Sequence, residues 1–498
     1  MGLVIRQSFY STIISYAGVV IGYINLLYLY PKFLSLEQVG LFRTIQDAAI
    51  LLSPFAQFGL TQSIFRFYPH FVKDKSTSHT FITLMMLLAL AGFAVFFIIF
   101  KIFESPLLSY FKDNAKEIIQ YSSWVIWLTL VLVMMAVLEA FSRSLLKTVV
   151  PNFLREIVAR LLLSVLVLLY FSGVLSFDQF VIGSVAGYLL CLILLICYLW
   201  QQGEISIQTD FKNLDQTKLP ELFKYSLLSF AGMAGLILIG KIDSMMVSAM
   251  LGFSANAIYT TAFYMATVIE IPKRALSQIA MPLISRAFEK NNLTEVATLY
   301  RKTSTNQLII GSLLLIGVWI NLDSLFALMP KGEIYAAGKW VVIIVGAGKL
   351  IDMLFGPSSE IIVLSKYYKF NIVLILILAV LIVVSNNILI PRYGIEGAAW
   401  GAAFALIMFN GIKFLFIYWK INTQPFDANT VKVLVIAGLT LTVNKLIPQL
   451  DTLLIDILLR SSVVTAVFAT LILVSKSSED ANRIFKAVLT FAMRKNQS

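Results

Sequence analysis

The sequence predicts an all-α, polytopic membrane protein of about 14 transmembrane helices, arranged as two parallel six-helix lobes plus two C-terminal helices. Three observations lead there. Of 498 residues, 59% are hydrophobic and 13% charged, with phenylalanine occurring 37 times; that is about half the charged fraction of an ordinary soluble domain. Predominantly apolar segments recur along nearly the whole chain, each with the roughly 18 or more residues a helix needs to cross a hydrocarbon core of about 30 Å. Lysine and arginine also fall unequally on alternate loops, as in an inserted chain.

Between their polar and Pro/Gly punctuation, the apolar runs define six spans at 9–30, 39–65, 81–103, 121–142, 157–171 and 177–200. Six more lie at 222–251, 256–284, 307–328, 336–364, 370–390 and 398–419, and two at 431–447 and 453–474. This predicts a first lobe over residues 1–202, a cytoplasmic linker over 203–221 and a second lobe over 222–422. Two additional spans within 423–476 and a basic cytoplasmic tail over 477–498 follow.

An even span count puts both termini on one side. If that side is cytoplasmic, it receives Arg6, Arg66, Lys73, Lys75, Arg143, Lys147, Arg155, Lys273, Arg274, Arg286, Lys290, Arg301, Lys302, Lys366, Lys369 and the Lys/Arg cluster of the C-terminal tail, whereas the outer loops keep little beyond Lys32, Lys101, Lys112, Lys116, Lys331, Arg392 and Lys445. The asymmetry obeys the positive-inside rule. It also accounts for the net charge of +12 through topology and anionic inner-leaflet lipid, so nucleic acid is not an expected partner. The first apolar stretch is longer than a signal-peptide core and lacks a small-residue cleavage site before Pro31, so it reads as the first span. Cys191 and Cys197 share the sixth span, about 240° apart around a helix, and form no disulfide or metal framework. His70 and His79 flank one cytoplasmic loop, where a solvated structural role is expected.

Two landmarks repeat. Ile21-Gly22-Tyr23-Ile24-Asn25 matches Ile239-Gly240-Lys241-Ile242-Asp243 at a displacement of 218, and Trp124-Val125-Ile126 matches Trp340-Val341-Val342 at 216. Both place one span upon the span six later, which predicts parallel repeats and a substrate site near mid-depth.

Charged residues inside apolar runs mark that site: Arg43 and Asp47, Lys241 and Asp243, Lys349 and Asp352. One such charge costs about 2.5 to 3.5 kcal/mol at a helix centre, so six unrelieved charges represent on the order of 15 to 20 kcal/mol. In the second span Arg43, Asp47, Pro54, Gln57 and Thr61 fall within about 80° on an ideal helix, and in the eighth Thr260, Tyr264, Thr267, Glu270 and Arg274 within about 120°. Arg43 and Asp47, four residues apart, are spaced to neutralise each other, and Arg43 can also snorkel to the headgroups. Lys349 and Asp352, three apart, are spaced to pair directly, with Gly356-Pro357 a kink site beyond them. Lys241 and Asp243 lie about 200° apart; either one serves a structural partner or the helix is irregular around Gly240. Glu139 and Arg143 read as an interfacial pair.

The chain resembles the multidrug/oligosaccharidyl-lipid/polysaccharide exporter superfamily, and within it the polysaccharide transporter branch of Wzx-type flippases. The resemblance rests on Pro31-Lys32-Phe33-Leu34-Ser35-Leu36-Glu37-Gln38-Val39-Gly40-Leu41-Phe42, Phe58-Gly59-Leu60 and Phe65-Arg66. It continues through Lys241-Ile242-Asp243, Ile258-Tyr259-Thr260-Thr261-Ala262, Ile271-Pro272 and Met281-Pro282-Leu283-Ile284-Ser285, to Ile390-Pro391-Arg392-Tyr393-Gly394-Ile395-Glu396-Gly397-Ala398-Ala399. The branch's usual acidic residue in the seventh span matches Asp243. The resemblance implies twelve core helices, two extra spans and movement of a polyprenyl-diphosphate-linked oligosaccharide from the inner to the outer leaflet of the bacterial plasma membrane, by alternating access and without enzymatic turnover.

The residue types suit that cargo. Arg43, Lys241 and Lys349 are candidate partners for a diphosphate, and Gln46, Gln57, Thr61, Tyr264 and Thr267 for sugar hydroxyls. Asp47, Asp243, Glu270 and Asp352 are candidate cavity carboxylates, holding the cations or binding a coupling cation, H+ or Na+. No other cofactor and no metal is expected. Membrane lipids, a glycan polymerase and glycosyltransferases are the expected partners. Two other readings stand beside this one: a multidrug or cation exporter of the same superfamily, favoured by an acidic or aromatic cavity, and a glycan polymerase or ligase, favoured by a large outer loop. The longest outer connection, over 101–120, is short and contains no histidine.

Overall fold

A computed structural model describes residues 2–111, 115–448, 450, 452–483 and 485; most of the expected basic tail, 486–498, lies outside them. Helix dominates, and no strand occurs among the described residues, as the all-α expectation requires. Backbone polar groups in lipid must be satisfied within the segment, and a helix does that. Nine helices are long and apolar enough to cross a membrane, or ten if one bent pair counts as a single span, all among the described residues. The chain is a multi-pass membrane protein. It forms two compact units, residues 1–260 and 261–498.

In the first unit α1 (Gly2–Ile24) runs into a π-turn at Asn25–Leu29. Helix α2 (Leu36–Gln57) starts at a reciprocal cap, with Ser35 Oγ accepting from Gln38 N and Gln38 Oε1 accepting from Ser35 N. This satisfies two donors that a helix start otherwise leaves unpaired. It ends where Phe58 and Gly59 both turn left-handed, and α3 (Leu60–Phe71) departs at 43°. The expected second span is therefore broken, and Thr61 does not continue the α2 stripe of Arg43, Asp47, Pro54 and Gln57; the left-handed residues reset the helical phase.

Then come α4 (Lys75–Ser109), α5 (Ala115–Ser144), α6 (Ala159–Phe171) and α7 (Phe177–Gln201). A π-turn at Leu154–Val158 precedes α6 and leaves it only 13 residues long. At the start of α4, outside the lipid, hydrogen bonds from Thr77 hold the Asp74 carboxyl below the usual carboxylate range. Helix α8 (Leu219–Leu251) packs against α2 within this unit. A buried core joins Ile64, Phe67 and Phe71 of α3 to Phe81 and Met85 of α4 and Val137 and Phe141 of α5. Both cysteines are unbridged. His70 and His79 each lie 3.1 Å from a backbone carbonyl oxygen, of Arg66 and Gly203, a structural use.

The boundary between units falls within α9 (Phe253–Thr267). One tight turn, Val268–Glu270, separates it from α10 (Ile271–Glu289), which carries Pro272 in its first turn. The expected eighth span is thus broken too, because proline favours a helix start over a helix interior. Then follow α11 (Leu293–Leu328), capped by Asn292, and α12 (Lys339–Leu354). The kink site predicted at Gly356-Pro357 is a break between two helices, separating α12 from α13 (Ser358–Leu364).

Helical structure continues as α14 (Tyr368–Ile421) but reverses at Gly394, where φ is 59° and ψ −138°. Ser385 Oγ lies 3.3 Å from Gly401 O across that reversal, so two antiparallel segments occupy the places of the expected eleventh and twelfth spans. Helices α15 (Ala428–Val443) and α16 (Leu453–Val474) pack against α11 through Leu308, Ile316, Val433, Ile436, Val464 and Phe468.

Candidate functional site

Each unit holds an ion-paired cluster on its spanning helices. In the first, Lys241 Nζ on α8 donates to Asp47 Oδ1 on α2 at 2.5 Å, and Ser244 Oγ, one turn on, donates to Asp47 Oδ2 at 2.8 Å. Both carboxylate oxygens are thereby engaged, and Asp47 is only 3% exposed. A buried carboxylate is tolerable in such a setting because an ammonium and a hydroxyl replace its water. The intrahelical partner expected for Asp47, Arg43, instead donates Nη1–H to Gln46 Oε1 at 3.5 Å and lies over the Tyr30 ring.

Helix α8 continues unbroken past Gly240, so the irregular-helix alternative falls, and Lys241 serves a structural partner, Asp47. Asp243 is also buried, and its charge acts on the buried Tyr259 hydroxyl of α9. Asn256 Nδ2 donates to Thr44 Oγ1 at 3.1 Å, and Thr44 Oγ1 lies 2.5 Å from Ser248 Oγ. This polar seam exists because Gly40 lets α2 approach α9 closely; a Cβ there would sit 1.7 Å from Phe253 O.

Gln57 and Thr61 are buried at the α2–α3 break. Thr61 Oγ1 reaches Met233 Sδ at 3.4 Å, and Gln57 Oε1 has no hydrogen-bond partner among the described residues.

In the second unit Lys349 Nζ on α12 lies 2.5 Å from Glu270 Oε2. The pairing expected three residues along, Lys349 with Asp352, is not formed, because Asp352 is occupied from other helices. Lys273 of α10 donates to its Oδ2 and Asn410 Nδ2 of α14 to its Oδ1 at 3.0 Å, while Lys413 Nζ of α14 lies 4.0 Å from Oδ1. Tyr264 and Thr267 are half-buried on α9, with Thr267 Oγ1 bonded to Tyr264 O.

Sequence reasoning missed Lys273, Asn410 and Lys413. Lys273 lies inside the expected eighth span, 256–284, but counts there only among the cations of the cytoplasmic side, and an intact span gives no sign that it turns to Asp352. Lys413 stood in plain view inside an apolar run, the same signal that picked out Lys241. A third pair was also missed: Arg460 Nε donates to both oxygens of Asp456 at 2.9 and 2.8 Å, although its i, i+4 spacing on an apolar helix was legible. No group of three or more metal-ligating residues occurs among the described residues.

The sequence model of the family described as "Polysaccharide biosynthesis protein" matches residues 4–288, more than half of the chain. The chain belongs to that family. A relative outside the solved structures, the membrane protein MJ1068 of Methanocaldococcus jannaschii, is 22% identical, with 79% of each chain covered. The fold of this polysaccharide biosynthesis family member is similar to that of lipid II flippase MurJ in an inward closed conformation, with a TM-score of 0.75, 14% identity, and 93% of this chain and 99% of that one covered. It is also similar to an inward-facing multidrug resistance MATE family transporter of the MOP superfamily, with a TM-score of 0.63, 14% identity and coverage of 84% and 94%. The exporter-superfamily fold read from the sequence is the fold the chain adopts.

Proposed function

We propose that this protein is a flippase for a polyprenyl-diphosphate-linked oligosaccharide, carrying it from the cytoplasmic to the outer leaflet by alternating access during synthesis of a cell-surface polysaccharide. The observation that carries the reading is the pairing of Lys241 with Asp47 and of Lys349 with Glu270, each across helices. A lysine held by a protein carboxylate is a cation kept in place for another anion; a diphosphate brings the charge and the acceptor oxygens that exchange with that carboxylate. Arg43 adds a planar, bidentate donor. The unpartnered Gln57 Oε1 offers a sugar hydroxyl an acceptor, with Gln46, Thr61, Tyr264 and Thr267 as further polar contacts. Asp47, Asp243, Glu270 and Asp352 are the groups through which a proton or sodium gradient acts. Membrane lipids surround the chain, its termini are cytoplasmic, and a glycan polymerase and glycosyltransferases are its pathway partners.

The test is export in a host lacking its own flippase, read as lipid-linked oligosaccharide accessible to an impermeant oxidant on the outer leaflet. Lys241→Met and Lys349→Met, at normal membrane abundance, are each expected to lower that signal at least about tenfold. Undiminished export in both variants would remove the two lysines from the site. Drug resistance conferred without any glycan export would assign the protein to drug efflux instead.

A further inference from the structure

Lys413 is the most deeply buried charge among the described residues of the second unit, 1% exposed on the spanning helix α14. Its ammonium has an unusual set of neighbours. Ser359 Oγ accepts from it at 3.1 Å, the Phe409 ring centroid lies 4.2 Å away, and Asp352 Oδ1 stands at 4.0 Å, beyond hydrogen-bond reach. The other Asp352 oxygen already belongs to Lys273. Glu360, half-buried on α13, is the further carboxylate whose charge acts on both lysines. With the Lys349–Glu270 pair, whose charges act on Asp352 and Lys273, three ammoniums balance three carboxylates, and the group is neutral. Beside it Asn410 Oδ1 and Ser358 Oγ are buried with no hydrogen-bond partner among the described residues.

Without its ammonium, this place would hold one net negative charge, with the carboxylate oxygen Asp352 Oδ1 and the neutral Ser359 Oγ released from Lys413, and with two further buried oxygens unpartnered among the described residues, Asn410 Oδ1 and Ser358 Oγ, on the neighbouring residues. Hard monovalent cations take such donors, a low charge with carbonyl and hydroxyl oxygens completing the shell. We propose that this is a monovalent-cation site filled by the chain's own Lys413 ammonium, so that this place takes no sodium ion and a sodium gradient would act through the other carboxylates. Buried ionisable groups in spanning helices mark ion pathways by default, and a tethered ammonium fills one at no cost in ion association.

The inference deepens the flippase reading by naming the cation at this place, and its test needs no cargo, so either can fail without the other. Thermal unfolding of the purified full chain is measured in sodium chloride and in choline chloride at equal ionic strength. The unaltered protein gives the baseline difference between the two salts. Lys413→Ala, with the ammonium gone, is expected to gain at least about 2 °C in sodium beyond that baseline, since a ligand bound to the native state alone raises its midpoint. Asp352→Asn combined with Lys413→Ala is expected to lose that gain. Where Lys413→Ala does not fold, Lys413→Gln is read in the same way. A lysine variant whose sodium shift does not exceed that of the unaltered protein would overturn the assignment.

Discussion

Lys241 and Asp47 stand 194 positions apart in the chain, and their side chains meet at 2.5 Å. The pair joins α8 to α2 where neither charge is tolerable alone. Asp47→Asn or Lys241→Met is expected to destabilise the protein by about 3 kcal/mol, since each leaves one buried charge without its partner. The double variant is expected to recover most of that loss. A double-mutant cycle on denaturation midpoints in detergent checks this; additive effects would show the pair to be uncoupled.

Gly40 is set by a backbone approach. A Cβ at this position would lie 1.7 Å from Phe253 O, so Gly40→Ala is expected to push α2 from the start of α9 and cost about 2 to 3 kcal/mol by overpacking. Size-exclusion profiles and unfolding midpoints of the purified variant report it. An unchanged midpoint would mean that the two helices meet less closely.

Two glycines of α14 separate conformation from space. Gly394 has φ 59° and ψ −138°, and nothing lies within 4 Å of a Cβ built there; Gly411 also has open space but ordinary helical φ. Gly394→Ala is expected to cost about 1 to 3 kcal/mol of backbone strain, whereas Gly411→Ala is expected to gain up to about 1 kcal/mol. Opposite signs in the unfolding midpoint are the check.

Burial also ranks the ion pairs. Arg460 and Asp456 are both buried, whereas Arg143, on Glu139 at 3.4 Å, is 39% exposed. Arg460→Met is expected to lower stability by about 3 kcal/mol or more, and Arg143→Met by less than about 1 kcal/mol, because water screens it and Arg155 also holds Glu139. Denaturant titrations of the two variants give the order directly.

Much of the fold was legible. Apolar length and lysine/arginine asymmetry revealed a multi-pass, all-α chain, and Gly356-Pro357 was recognised as a kink site. The interruption at Phe58-Gly59 was not, since a left-handed phenylalanine has no strong local signature. Helix α15, with 16 residues, shows how span edges drift when apolar residues continue past a helix end. Within the site, intramembrane charge identified Asp47, Lys241, Asp243, Lys349 and Asp352 as residues that need partners, but intrahelical spacing suggested the wrong ones.

What the sequence determined by itself was therefore which residues are expensive in lipid, because that cost belongs to the side chain and the length of its apolar run. What only the tertiary structure decided was who relieves them: Asp47 by Lys241, Lys349 by Glu270, Asp352 by Lys273 and Lys413. The reason is physical. Ion pairing depends on distances of a few ångströms between helices, which packing and the broken segments of α2–α3 and α9–α10 establish, and no periodicity within one helix encodes the rotation of its neighbour.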